Sequence, residues 1–171
     1  MSEPYTFEEV DVLSSGRLFR VARPGRATCG ANGKVPPSVV AQWIDRISTR
    51  LTTALGHSGP FAVDYVCLLG RKPRGQSEIA DFYPARGPLD GGDAPTFEAF
   101  LNQLGAGRVE FRVHHFPTTD HEGVTQDSAD AVIQCLDTLL ASGRTVLVGC
   151  SAAQGRTMEV LRAFNRGAPP Q

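Results

Sequence analysis

Apolar residues recur along the chain at two periods, and the alternation between them predicts an architecture. After Pro37, the positions Val39, Val40, Trp43, Ile44, Ile47 and Leu51 fall every three or four residues, so an amphipathic helix is expected over SVVAQWIDRISTRLTTAL (38–55). FAVDYVCLL (61–69) is a continuous run of β-branched and aromatic residues and reads as a buried strand. RLFRV (17–21), VEFRVHHF (109–116) and TVLVG (145–149) read as further strands. TFEAFLNQLGAG predicts a helix capped by Thr96, with Phe97, Phe100, Leu101 and Leu104 on one face. DSADAVIQCLDTLLASG predicts another, starting at an Asp127 or Ser128 cap and stopping at Gly143. GRTMEVLRAFNRG is the last helix. RPGRATCGANGKVPP reads as a turn-rich loop, and GRKPRGQSEIADFYPARGPLDGGDAP as irregular chain with one helical turn at Glu78 to Tyr83. Strands alternating with helices require parallel pairing through crossovers. The expected fold class is therefore α/β: a central, mostly parallel sheet with helices on both faces, formed by residues 1–171 as a single compact domain.

Composition narrows the partners. The 171 residues are 41% hydrophobic and 20% charged, with a formal net charge of -1, which offers no global positive field to a nucleic acid or a membrane surface. Neither is expected as a partner. Met1 to Phe7 has no apolar signal core, and no apolar run reaches membrane-spanning length. Cys29, Cys67, Cys135 and Cys150 show no CxxC pair and no zinc-ligand spacing, so a reducing cytoplasmic setting and no metal are expected. His114 and His115 adjoin in a strand and point to opposite faces, which argues against a shared ion. Cys67 and Cys135 read as core thiols, and Cys29 as part of a flexible loop. No cofactor is implied, and a monomer is the expectation.

The chemistry concentrates in VLVGCSAAQGRTMEVL (146–161). Cys150 follows a strand, and in α/β sheets ligands gather at the carboxyl ends of strands. The small residues Ser151, Ala152, Ala153, Gln154 and Gly155 allow the backbone to curl with its amides inward, while the helix opening near Gly155 directs its positive end to the same place. Arg156 can offer paired donors to a phosphate. The same field favours a thiolate, since cysteines at helix N-termini and beside cations titrate at about 3.5–7.5 rather than about 8.5. These features point to a thiol nucleophile beside a bound oxyanion.

Cys150-Ser-Ala-Ala-Gln-Gly-Arg156-Thr157 resembles the CxxxxxR[ST] signature loop of the protein tyrosine and dual-specificity phosphatases. The resemblance implies Cys150 as nucleophile through a phosphocysteine intermediate and Arg156 as phosphate clamp. It implies Thr157 as the hydroxyl that eases the thiolate's departure, and the backbone of Ser151 to Gly155 as further phosphate contacts. Phe116-Pro117-x-x-Asp120 is similar to the family's general-acid segment, which implies Asp120 as the proton donor; Glu122 and Asp127 are rival carboxylates on the same stretch. RLFRVARPG and FAVDYVCLLG are weaker echoes of the family's early and central strands. The chain departs from the pattern at Gly149, where the family usually has histidine, and at Ala153, where many members have glycine.

The expected activity is hydrolysis of phosphotyrosine or other protein phosphomonoesters, with a phosphorylated protein or a small phosphomonoester as substrate. A shallow, dual-specificity-like pocket is expected, and SAAQG lacks the lysines that would draw extra ring phosphates. The alternative is a catalytically weak or inactive phosphate- or phosphopeptide-binding module on the same fold. A sulfur-transfer or arsenate-reducing enzyme is a third reading.

Overall fold

The structure is a computed structural model that describes residues 6–75, 77–119 and 122–166. The described elements are β1 (Phe7–Val10), β2 (Arg17–Val21), α1 (Arg26–Cys29), α2 (Pro37–Leu55), β3 (Phe61–Cys67), α3 (Glu78–Phe82), α4 (Phe97–Leu104), β4 (Val109–His115), α5 (Gln126–Ala141), β5 (Thr145–Gly149) and α6 (Gly155–Arg166). The sheet order is β1-β2-β5-β3-β4, with β1 antiparallel and the other neighbours parallel. The carboxyl ends of β2, β5, β3 and β4 therefore share one edge of the sheet, and β5, which delivers Cys150, lies between β2 and β3.

Strand alternation splits the core into two layers. Phe19, Val63, Tyr65, Cys67, Phe111 and Leu147 face α2 and α4, packing with Val40, Trp43, Ile44 and Phe97. Leu18, Val66, Val146 and Val148 face α5 and α6, packing with Val132, Leu136, Leu140, Val160 and Leu161. Helices cover both faces of a mostly parallel sheet, as the pattern predicts. Among the described residues, no helix is long and apolar enough to cross a membrane.

Four details differ from the sequence reading. The sequence reading has no strand at β1; it is half polar, and it is tied to β2 by the ion pairs Arg17–Glu9 and Arg20–Glu8 as well as by the stacking of Phe7 on Phe19. The presumed loop after β2 contains α1, so Cys29 is a helix residue packed against the core. α5 begins two or three residues early, because Thr125 rather than Asp127 or Ser128 caps it, its hydroxyl accepting the Ser128 amide at 3.2 Å. β3 stops at Cys67, where the chain turns to carry Leu68 and Gly70 into the candidate site.

Candidate active site

Cys150 leaves β5 at the sheet's carboxyl edge, and the residue before it explains the path of the chain. A side chain at position 149 would place its Cβ 2.0 Å from the Val21 carbonyl oxygen on the neighbouring strand. Only glycine lets β5 run this close to β2, so a histidine cannot stand there. The loop then curls through Ser151 to Gln154 into α6, with Ala153 at φ 58, a left-handed conformation that concave amide nests adopt.

Two arginines from β2 and its continuation hold the outer side of this loop. The Arg20 guanidinium donates to the Ala153 carbonyl. The Arg23 amide donates to the Ser151 carbonyl at 3.0 Å, and its Nε donates to the Ser151 hydroxyl at 3.2 Å. Arg23 is buried, its guanidinium 3.5 Å from the centre of the Phe82 ring, with further bonds to the Gly30 and Ala31 carbonyls. With carbonyls engaged on the outside, the amides of Ser151 to Gly155 donate to no acceptor among the described residues. Ser151, Ala152, the N-terminal end of α6 at Gly155 and Cys150 border one cavity of about 630 Å³.

Arg156 also borders the cavity and is only 4% exposed. Its Nη1 and Nη2 donate to the two carboxylate oxygens of Glu78 at 2.6 and 3.0 Å, and Nη1 also reaches the Thr118 hydroxyl at 3.2 Å. A guanidinium has five N–H donors in a fixed fork, and the Glu78 carboxylate engages two of them. Glu78 is itself fully buried and accepts the Gly70 amide at 3.0 Å. The sequence reading has no place for Glu78 in the site: a glutamate in the first turn of a short helix is ordinarily solvated, and nothing local to GQSEIADF marks it otherwise.

Of the expected site residues, the structure brings together Cys150, Ser151, Ala152, Gly155 and Arg156 on the cavity wall. Ala153 and Gln154 complete the loop, and the Gln154 carbonyl accepts the Met158 amide at 2.7 Å to start α6. Thr157 is buried, and its hydroxyl has no hydrogen-bond partner among the described residues. Cys150 is 3% exposed, so its sulfur lies at the floor of the cavity rather than at its rim. Asp120 lies outside the described residues. Thr118 and Glu122, which flank it in sequence, both belong to the site: Thr118 through Arg156, and Glu122 as part of the cavity wall. Asp127 falls in the first turn of α5. Glu159 on α6 accepts the Val124 amide at 3.1 Å, which ties the segment after Asp120 to the helix that carries Arg156.

Among the described residues, Cys67, Cys135, His114 and His115 keep to structural positions. Burial pushes the Cys67 thiol up to about 12, which leaves it protonated at neutral pH. Cys135 is half-buried rather than fully enclosed, and burial raises it too. His114 bonds Asp64 at 2.8 Å on one face of β4. His115 packs beside Phe97 on the other face, where burial lowers it from 6.5 to about 4.

No protein-family model matches this chain, and no curated protein does at the level of sequence. Solved structures do match. One is the kinase associated phosphatase with its catalytic-site cysteine replaced by serine, at a TM-score of 0.54 and 17% identity, over 99% of this chain and 80% of that one. Another is Tk-PTP in its active form, at a TM-score of 0.49 and 14% identity, over 99% of this chain and 78% of that one. The likeness to the kinase associated phosphatase is one of fold: the chain has the fold of the tyrosine and dual-specificity phosphatases.

Proposed function

We propose that the protein is a cysteine-dependent phosphomonoesterase, and that phosphoproteins and small phosphomonoesters are its substrate classes. The observation that carries the reading is one cavity bordered by Cys150, by Ser151, Ala152 and Gly155 of the loop, and by Arg156 at the start of α6. In this mechanism the phosphate is held by the loop amides and the Arg156 guanidinium. The Cys150 thiolate attacks phosphorus, a P–S bond forms, and the P–O bond to the leaving group breaks. Asp120 gives its proton to the departing oxygen. Water then attacks the phosphocysteine, Asp120 takes a proton from it, and the thiolate leaves with inorganic phosphate as product. The Thr157 hydroxyl, buried and unpartnered among the described residues, is suited to donate to that departing sulfur.

Steady-state hydrolysis of para-nitrophenyl phosphate tests the reading. Cys150→Ser is expected to abolish turnover, Asp120→Asn to slow it and remove the limb of the pH profile that reports the protonated acid, and vanadate to inhibit it. Turnover by Cys150→Ser at the native rate overturns the reading. A second reading, a phosphate-binding module with little chemistry, is favoured by the near-complete burial of Cys150. It requires phosphopeptide binding without turnover.

A further inference from the structure

The cavity holds two arginines that the phosphatase reading does not use. Arg26 comes from α1, at the end of the chain's path out of β2, and Arg162 from the second turn of α6. Neither side chain makes a hydrogen bond or ion pair with any described residue. Arg26 is the more telling of the two, because its Nε is buried with no acceptor, a state that proteins ordinarily avoid. Among the described residues, Arg17, Arg20, Arg108, Arg144 and Arg156 pair with carboxylates. The two carboxylates in the same wall leave Arg26 and Arg162 unmatched. Glu159 is engaged with the Val124 amide, and Glu122 is exposed. The described wall also lacks any aromatic ring or branched aliphatic side chain on which a phenyl group could stack.

We propose that the site takes compact phosphomonoesters bearing a second phosphate, held by Arg26 and Arg162 while the first lies over Cys150. The assignment rests on the phosphatase reading for the first phosphate only. Arg162 follows Arg156 by six residues of α6, an axial rise of about 9 Å, so two phosphates held from these positions lie on the scale of one small molecule. The lack of lysines in SAAQG therefore understates the charge available, since the second cationic group comes from other elements.

The test is calorimetric binding to the Cys150→Ser protein, which separates affinity from turnover, alongside hydrolysis by the native protein. Fructose 1,6-bisphosphate is compared with fructose 6-phosphate, and a doubly phosphorylated peptide with its singly phosphorylated form. The bisphosphate sugar is expected to bind about ten- to a hundredfold more tightly than the monophosphate. Arg26→Gln and Arg162→Gln should each remove more affinity for the bisphosphate than for the monophosphate. Equal affinities, a preference that persists in both variants, or a preference confined to the peptide pair each overturns the assignment. If the native protein hydrolyses aryl phosphate yet shows no preference, the second subsite fails and the phosphatase reading stands. If it hydrolyses nothing while the arginine-dependent preference holds, the subsite stands and the phosphatase reading fails.

Discussion

Replacing Glu78 by glutamine keeps the side chain's volume and removes its charge from beside Arg156. The two side chains are 1% and 4% exposed, so water screens their attraction poorly. Breaking a buried pair from one side costs about 3–5 kcal/mol, because the remaining charge stays desolvated. With an unfolding entropy of about 2.1 cal/mol/K per residue, a 171-residue chain loses one degree of Tm for about 0.36 kcal/mol. Glu78→Gln should thus lower Tm by roughly 8–14 °C in differential scanning calorimetry. An oxyanion in the cradle supplies negative charge to the same guanidinium. Tungstate or phosphate at about 100 times its Kd stabilises a native fold by about 2.7 kcal/mol. The gain in Tm should be larger for Glu78→Gln than for the native protein, since the anion also replaces the missing countercharge. A variant within about 0.5 kcal/mol of native stability, or an oxyanion response that does not grow, would refute the reasoning.

Gly149→Ala puts a Cβ 2.0 Å from a backbone oxygen that cannot move without parting β2 and β5, so a loss of about 3 kcal/mol is expected in denaturant titration; native stability would contradict the packing account. His115 titrates at about 4 when folded against 6.5 when unfolded, so the unfolded state binds more protons between those values. Its share of stability is complete above about pH 6.5 and falls by about 3 kcal/mol as pH drops to about 4, and His115→Phe should flatten that part of the stability profile. Glu159→Ala unties the Val124 amide and should lower kcat several-fold with little change in KM, while Glu159→Gln, which still offers an oxygen acceptor, restores it; equal loss in both variants would show that charge, not the bond, matters.

The parts of the fold legible in the sequence are those built by burial. The alternating faces of β2, β3, β4 and β5 and the apolar stripe of α2 announce themselves because the same residues form the two core layers. β1 escapes this reading because it is short and its two central residues are charged: Glu8 stands opposite Arg20 in the register, which leaves only Phe7 and Val10 to carry a hydrophobic signal. The candidate site divides in the same way. The contiguous loop from Cys150 to Arg156 is visible because one strand-to-helix turn builds it. Glu78, Arg23 and Arg26 come from separate elements, and only the sheet topology brings them to the loop. Gly149 reads as a departure from a family pattern until the approach of Val21 shows it to be a requirement of this particular strand pairing.

The most direct test of the account is covalent. Rapid acid quenching during turnover of para-nitrophenyl phosphate, followed by peptide mass spectrometry, should recover phosphate on the sulfur of Cys150, with the adduct accumulating further in Asp120→Asn if breakdown is slowed more than formation. Turnover that proceeds with no phosphate on Cys150, or that continues in Cys150→Ser, would contradict it.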